Sequence, residues 1–165
     1  MDNIAPQPFT VSPVGCVRAG EEVYCLEIDR DYRPALKGLE GFSNLNVLWW
    51  CHLNDDPASR QVVECDQPYK QSPPKLGIFA TRSPLRPNPI ALTAVYVLSI
   101  DHEQGLIHVP YIDAEDATPI IDIKPYHPSV DRIREVSVPA WCRHWPQWYE
   151  DSASFDWASE FVHAR

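Results

Sequence analysis

Two arginines, Arg82 and Arg86, stand four residues apart in the stretch Gly77-Ile-Phe-Ala-Thr-Arg-Ser-Pro-Leu-Arg-Pro-Asn-Pro-Ile-Ala-Leu92. Each proline in this stretch lacks a backbone donor and restricts the residue before it, so a continuous helix is excluded. The sequence predicts a stiff, non-helical loop between two strands. Because a preformed loop loses little entropy on binding, its guanidiniums suit recognition of a carboxylate or phosphate. A proline-rich connector with solvated arginines is the alternative interpretation.

A second group of reactive side chains lies in the run Asp-Ile-Lys-Pro-Tyr, where Asp122, Lys124 and Tyr126 alternate. Alternate residues of an extended chain point to the same face, so a carboxylate, an ammonium and a phenol would lie together there. Such a cluster could move protons or orient a substrate, and we predict these three residues as catalytic. The alternative is a surface ion pair between Asp122 and Lys124, worth less than about 1 kcal/mol.

The chain has 165 residues and a formal net charge of -9. This length fits one domain with a real hydrophobic core. The acidic balance argues against a broadly basic nucleic-acid surface, but it leaves room for a local basic patch around Arg82 and Arg86. An acidic enzyme acting on a small molecule fits the same composition.

Cysteine usage indicates neither a disulfide framework nor a metal site. The count of five cysteines is odd and their spacings are scattered. Cys51-His52 and Cys142-Arg-His144 do not form the paired ligand doublets of a zinc site, so no metal is predicted. Without a secretory signal or a long apolar run, we expect a cytoplasmic protein with reduced thiols and no membrane association.

Period-two patterns, few helix signals and proline-rich loops predict an all-β or β-rich fold, a single small β-barrel over residues 9–131. A short helix is expected at 31–41, and the turn 19–22 joins the first two strands. The aromatic-rich extension at 132–165 should include a helix over 152–163 and pack on the barrel. A wall for a flat substrate and a dimer contact are the alternatives. The predicted strands are Phe9–Val17, Val23–Ile28, Leu45–Leu53, Ile90–Ile100 and Leu106–Ile112.

Two sequence blocks carry a resemblance to a known family. The first is the stretch 77–92, and the second is Asp113-Ala-Glu-Asp-Ala-Thr-Pro-Ile-Ile-Asp-Ile-Lys-Pro-Tyr-His-Pro128. Both resemble blocks of the TsaA-like (YaeB, TrmO) proteins, in the same order, and the likeness covers roughly residues 10–131. These proteins are S-adenosylmethionine-dependent enzymes that methylate N6 of a modified adenosine, threonylcarbamoyladenosine, at tRNA position 37.

The resemblance implies a small β-barrel, S-adenosyl-L-methionine as methyl donor, tRNA as partner, and a homodimer with the donor site near the subunit interface. The chemistry of the donor agrees with it, since ribose hydroxyls need a carboxylate and a methionine carboxylate needs a guanidinium. Arg86 and Asn88 could hold phosphate or base edges of the substrate, or brace their loop. The residues predicted to bind the donor are His52, Leu53, Arg82, Leu92, Tyr111, Ile112, Asp113 and Asp116.

The chain also departs from the family pattern. Arg18 passes directly to the second strand, without the usual A-P-R-Q type segment, and Asn44 replaces a common histidine. Ala91 and Ala117 replace usual glycines; alanine at a positive φ is strained, so these loops should be shaped differently. The C-terminal domain of larger members is also absent from this sequence. Three hypotheses follow: a tRNA methyltransferase, a small-molecule methyltransferase, and a non-catalytic S-adenosylmethionine-binding protein.

Overall fold

The computed structural model describes residues 8–20 and 23–163, and it confirms a β-rich chain with few helices. The N-terminal residues 1–7 and two residues of the expected turn at 19–22, Glu21 and Glu22, lie outside this description. The helices are two single α-turns, α1 (Pro128–Asp131) and α2 (Trp157–Glu160), and several short 3₁₀ segments. The strands are β1 (Gly15–Arg18), β2 (Tyr24–Ile28), β3 (Asn44–Trp50), β4 (Glu64–Asp66), β5 (Lys75–Gly77), β6 (Ile90–Tyr96), β7 (Ser99–Asp101), β8 (Leu106–Val109) and β9 (Pro119–Pro125).

The described residues form two compact units. Unit 1 contains residues 8–20, 23–51 and 90–127, and unit 2 contains residues 52–89 and 128–163. Unit 1 is built on an antiparallel sheet in the order β6-β3-β9-β1-β2-β8-β7. Alternate residues of β1, β2, β3 and β8 are buried, as the period-two pattern requires. The core of unit 1 includes Val17, Leu26, Leu45, Val47, Val95, Ile107, Val109 and Ile120.

All five predicted strands differ in extent from the observed ones, and two of the differences have a visible cause. Regular pairing of the first strand begins only at Gly15, because Pro13 has no backbone donor and Val14 N is the first to bond across, to Ile120 O at 2.7 Å. The predicted strand Ile90–Ile100 divides into β6 and β7. Between them Val97 N bonds to Ser43 O and Leu98 N bonds to His108 O, so the chain changes partner from β3 to β8 at this point.

The expected helix at 31–41 is a 3₁₀ helix, Arg30–Leu36. Pro34 lies inside it, and its missing N–H excludes the regular α-helical ladder. Gly38 and Gly41 follow with φ of 90° and 92°, a conformation that glycine adopts without strain where a helix ends. This segment leads directly into β3.

Ala117 is the one non-glycine residue with a positive φ among those described, at 60°. Its N–H bonds to Val17 O at 2.9 Å, and the following residue, Thr118, is buried. The backbone strain expected of an alanine at this position is therefore present, because the turn keeps the positive φ. Ala91, the other alanine in place of a glycine, lies in regular β6 opposite Trp49.

Replacing Ala117 by glycine should raise the free energy of unfolding by about 0.5–1 kcal/mol, because glycine adopts the left-handed region without a Cβ penalty. Ala91→Gly is the matched control, and it should lower that free energy by about 0.5–1 kcal/mol, because a glycine in a strand costs entropy. Urea titration of both variants measures the difference. A loss of stability in Ala117→Gly would contradict the strain argument.

Unit 2 holds a two-stranded sheet, β4 with β5, and an aromatic cluster. Tyr69 is 8% exposed and is surrounded by the rings of Trp141, Trp145 and Phe161, at centroid distances of 5.5, 4.8 and 5.8 Å. Trp157 contacts Trp145 at 5.3 Å. Aromatics of the C-terminal segment thus pack around Tyr69, which lies between β4 and β5. The domain boundary at 131 stays a prediction.

The predicted helix over 152–163, with Asp151 or Ser152 as its cap, is wrong. A 3₁₀ helix, Tyr149–Ser154, ends at Phe155, and a separate turn of α-helix, α2 (Trp157–Glu160), follows. Asp156 begins α2 because its carboxylate accepts the Ser159 N–H at 3.1 Å. A capping carboxylate in mid-segment competes with a continuous helix, which explains the break.

Glu160 carries a carboxylate inside the aromatic cluster, with 4% of the residue exposed. His144 Nε2 lies 3.0 Å from Glu160 Oε2. The other oxygen, Oε1, and the indole nitrogen of Trp145 have no well-aligned hydrogen-bond partner. Desolvation raises the pKa of Glu160, but interactions with His144 and then with the Trp145 N–H outweigh it and lower the pKa below the ordinary 4.5.

A lowered pKa in the folded state means that ionised Glu160 stabilises unit 2 above pH 4.5, and that this contribution is lost as the pH falls through the lower folded value. We therefore expect the near-ultraviolet circular dichroism of the tryptophans to weaken on titration below pH 4.5. Glu160→Gln should remove that step. An identical acid titration in both proteins would show that Glu160 does not control it.

Within the described part of the chain, no helix has the length and apolar composition needed to cross a membrane. None of the cysteines forms a disulfide among these residues. No three side chains of the His, Cys, Asp and Glu type come together there in a group that could hold a metal ion.

Candidate active site on the outer face of the sheet

A row of three residues crosses β6, β3 and β9 on the face opposite the core. Leu48 pairs with Leu92 on one side and with Asp122 on the other. Directly paired residues project to the same side of a sheet, so Leu92 and Asp122 share the outer face with Leu48 between them. The next row contains Asn46 and Lys124. The structure thus brings together predicted residues from both sequence blocks.

A β-bulge in β9 determines which side chains reach this face. The pairing with β3 shifts from Leu48–Asp122 to Trp49–Ile120, which leaves Ile121 as the extra residue. Ile120 and Ile123 both pack against the core. Ile121 and Asp122 between them therefore both point outward, which regular alternation would forbid.

Asp122 and Lys124 form an ion pair on the outer face, with 2.7 Å between Oδ2 and Nζ. Asp122 Oδ1 also accepts the backbone N–H of Ile123 at 2.9 Å. The hydrogen bond to Asp122, and then its negative charge, raise the pKa of Lys124 above the ordinary 10.5. Lys124 therefore stays an ammonium at neutral pH and cannot accept a proton, which leaves the Asp122 carboxylate as the basic member of the pair.

Tyr126 follows β9 and extends the same edge. Its backbone N–H donates to Asn44 O at 3.0 Å, so pairing with β3 continues one step beyond Pro125. Its neighbour Tyr96 on β6 pairs with Asn44 and is 52% exposed. Asp122 and Lys124 thus lie together on β9, Tyr126 follows directly after the strand, and the catalytic roles of all three remain predictions.

The predicted donor residues of unit 1 lie in different settings. The Tyr111 hydroxyl donates to Asp113 Oδ1 at 3.3 Å, and the Tyr111 ring packs edge-on against Tyr24 at 5.6 Å. The exposed Asp113 carboxylate keeps acceptor sites for ribose hydroxyls, so it fits the expected donor.

The other two predicted donor residues of this region have structural contacts. Asp116 accepts the Ala19 N–H at 3.0 Å and so holds the residue that follows β1. Ile112 is fully buried in the core.

In unit 2 the arginine loop is non-helical after one 3₁₀ turn, Ile78–Ala80, and it connects β5 to β6, as predicted. Arg86 Nη2 donates to the carbonyls of Ile78 and Thr81 at 3.2 and 2.9 Å. This geometry matches the bracing alternative for Arg86. Arg82 and Asn88 are exposed on the same loop. Whether either contacts substrate or donor is a prediction.

His52 and Leu53 form a 3₁₀ turn, His52–Asn54, directly after the buried Cys51. The predicted strand Leu45–Leu53 therefore ends at Trp50, before these two residues. Leu53 is 69% exposed. An exposed leucine in the middle of a turn is compatible with a ligand contact, and its donor-binding role remains a prediction.

A cleft of about 360 Å³ in unit 1 was not anticipated from the sequence. It lies beside the bulge, and its position depends on the outward orientation of Ile121. Period-two reasoning assigns neighbouring positions of β9 to opposite faces, so it could not place both Ile121 and Asp122 outward and could not find the cleft. The lining residues are Phe9, Thr10, Val11, Pro13, Trp50, Pro119 and Ile121.

The fold is β-rich and antiparallel, distinct from the doubly wound α/β proteins that bind nucleotides at a glycine-rich turn. The chain belongs to the family described as the tRNA-methyltransferase O N-terminal domain, whose model matches residues 11–132.

Similar proteins carry two kinds of name. An S-adenosyl-L-methionine-binding protein of Archaeoglobus fulgidus is 34% identical over 119 residues, which cover 72% of this chain and 80% of that protein. A tRNA (adenine(37)-N6)-methyltransferase of Homo sapiens is 38% identical over 105 residues, 64% of this chain but 23% of that protein. A crystal structure of TrmO from Pseudomonas aeruginosa superimposes with a TM-score of 0.60 and 28% identity, covering 79% of this chain and 62% of that one.

These findings confirm the predicted membership of the TsaA-like family. They also agree with S-adenosyl-L-methionine as the methyl donor of that family, since the relatives are named for donor binding or for methyl transfer. The chain spans less than two thirds of the TrmO structure. Activity toward a particular acceptor is therefore a matter for proposal.

Proposed function

We propose that this protein is an S-adenosyl-L-methionine-dependent methyltransferase that methylates N6 of threonylcarbamoyladenosine at tRNA position 37. The family match over residues 11–132 is the observation that carries this proposal. The outer face of unit 1 supports it. Asp122 from the second sequence block lies in the same row as Leu92 from the first, and Lys124 lies in the next row. Reacting groups must be aligned for methyl transfer, and adjacent strands hold side chains rigidly.

Asp122 and Lys124 would have different roles in the reaction. Asp122 accepts the proton lost by the acceptor nitrogen, since Lys124 is held as an ammonium. Lys124 holds the carboxylate in place through the ion pair, and the Tyr126 hydroxyl follows two residues after Lys124 in the sequence. When bound, the donor supplies an activated methyl group on a sulfonium. Asp113 would accept hydrogen bonds from its ribose and Arg82 would bind its carboxylate.

We also propose that the sheet of unit 1 closes as a small barrel. Its two edge strands, β6 and β7, are successive parts of one chain segment, separated by only Val97 and Leu98. A segment that bonds to β3 at one end and to β8 at the other would leave neither edge open. A homodimer with the donor site near the subunit interface, a cytoplasmic location and tRNA as partner complete the proposal.

A second function, donor binding without catalysis, is favoured by one observation. The Archaeoglobus fulgidus relative, 80% of whose length this chain covers, is named for S-adenosyl-L-methionine binding alone. Methylation of a small molecule is the third hypothesis, and the net charge of -9 fits it. The three functions differ in their methyl acceptor, which is tRNA in the first, absent in the second and a small molecule in the third.

Calorimetric titration with S-adenosyl-L-methionine tests the shared requirement. Saturable binding is expected, followed by donor-dependent methyl incorporation into tRNA that carries threonylcarbamoyladenosine but lacks its methyl group. Binding without incorporation into tRNA or small-molecule extracts would favour the non-catalytic function. Absence of binding would overturn all three.

Arg82→Ala should weaken donor binding by more than tenfold, since a lost hydrogen bond to a charged group costs about 1.5–3 kcal/mol. Arg60→Ala is the matched control: it removes a guanidinium from the same unit, one that pairs with Asp55 at 2.5 Å, and should leave donor binding unchanged. The titration above provides the measurement. Equal affinities in Arg82→Ala and the unaltered protein would remove Arg82 from the donor site.

A further inference from the structure

The cleft beside the β9 bulge is built from three parts of unit 1. Phe9 and Val11 come from the segment that precedes β1, while Trp50 closes β3 and Ile121 is the bulged residue of β9. Its volume of about 360 Å³ is within the range of small-molecule sites. Phe9 is 88% exposed, so an aromatic face is available without any rearrangement of the core.

The chemistry of the lining favours a flat, uncharged ring. None of the residues lining the cleft carries a charge, so a phosphate or a carboxylate would find no charged partner there. Two aromatic side chains, Phe9 and Trp50, offer π-faces on which a base can stack, and Thr10 provides a hydroxyl. Large apolar side chains left open to solvent beside a polar group are typical of ligand sites.

The cleft adjoins the ion pair through the bulge. The register shift turns Ile121 into the cleft, and the next residue, Asp122, forms the ion pair with Lys124. A ring held against Ile121 would therefore lie next to the carboxylate assigned above to proton transfer. We propose that this cleft is a stacking site for a purine ring. The inference deepens the proposed methyltransferase function and rests on it for the role of the bound ring.

The purine could belong to the methyl acceptor or to the methyl donor, since both contain adenine. The position beside Asp122 favours the acceptor base, whose nitrogen must lose a proton. The shared chemistry makes one probe sufficient for the site itself. Competition between the probe and each natural ligand then identifies the source.

The test is a fluorescence titration of the whole protein with 2-aminopurine riboside, whose emission is quenched on stacking. Saturable quenching is expected. Phe9→Ala should weaken it at least fivefold, because stacking on an aromatic side chain is worth about 1–3 kcal/mol per base. Tyr32→Ala is the matched control, since Tyr32 is an exposed aromatic residue of the same unit that does not line the cleft, and it should bind like the unaltered protein.

Displacement of the probe by an anticodon stem-loop, but not by S-adenosyl-L-methionine, would assign the cleft to the acceptor base. Displacement by S-adenosyl-L-methionine would assign it to the donor adenine. Absence of saturable quenching, or equal affinity in Phe9→Ala, would overturn the proposal. Donor calorimetry is independent of the probe, so donor binding with no probe binding would refute the cleft alone, and the reverse result would refute the methyltransferase function alone.

Discussion

Asp122→Asn is expected to lower the rate of methyl transfer by about two to four orders of magnitude, the usual contribution of a general base. Asparagine keeps the shape of the side chain but cannot accept the proton that Lys124 is also unable to take. Donor affinity should stay unchanged, because Asp122 is assigned to the acceptor side. Single-turnover methylation of tRNA under saturating donor gives the rate.

The competing interpretation treats Asp122 and Lys124 as a surface ion pair. Their side chains are 47% and 62% exposed, and such pairs contribute less than about 1 kcal/mol. Under that interpretation Asp122→Asn would change stability slightly and leave the rate intact. Glu115→Gln, which alters an exposed carboxylate of the same unit, is the control and should be neutral. A full rate in Asp122→Asn would remove this residue from catalysis.

Trp145 is half-buried, and Trp145→Ala should destabilise unit 2 by up to about 3 kcal/mol, the lower end of the range for truncating a fully buried aromatic side chain. The Trp145 ring contacts Tyr69 at 4.8 Å, Trp157 at 5.3 Å and Trp141 at 5.4 Å, so its removal would open a cavity at the centre of the cluster. Its indole nitrogen is also buried near Glu160. Denaturant unfolding followed by tryptophan fluorescence measures the loss.

Trp148→Ala provides the comparison for Trp145→Ala. Trp148 lies three residues further along the same segment and is 62% exposed. Its truncation should change stability by no more than about 0.5 kcal/mol, as is usual for surface positions. Similar losses in both variants would mean that the aromatic cluster does not hold the C-terminal segment in place.

Much of the local structure could be predicted because it depends on neighbours in sequence. The prolines near Arg82 exclude a continuous helix whatever surrounds the loop. The structure agrees with this prediction, since the loop runs from β5 to β6. Glycines after Leu36 permit the positive φ that ends the 3₁₀ helix. Alternation of Asp122 and Lys124 in an extended strand is enough to bring their side chains together.

Other features could not be predicted because they depend on partners distant in sequence. The division of the long apolar strand at Val97 occurs where its partner changes from β3 to β8. The broken C-terminal helix reflects both the Asp156 cap and packing around Tyr69, which lies far earlier in the chain. Neither partner is visible from the local pattern.

The sequence by itself determined the family, the β-rich class, the rigid arginine loop and the pairing of Asp122 with Lys124, because each follows from residue type and short-range spacing. The tertiary structure alone decided three things: the row that joins Leu92 to Asp122, the bulge that turns Ile121 outward, and the cleft lined by Phe9 and Trp50. The physical reason is strand register. A one-residue shift between two strands changes which side chains share a face, and backbone pairing across the sheet sets that shift.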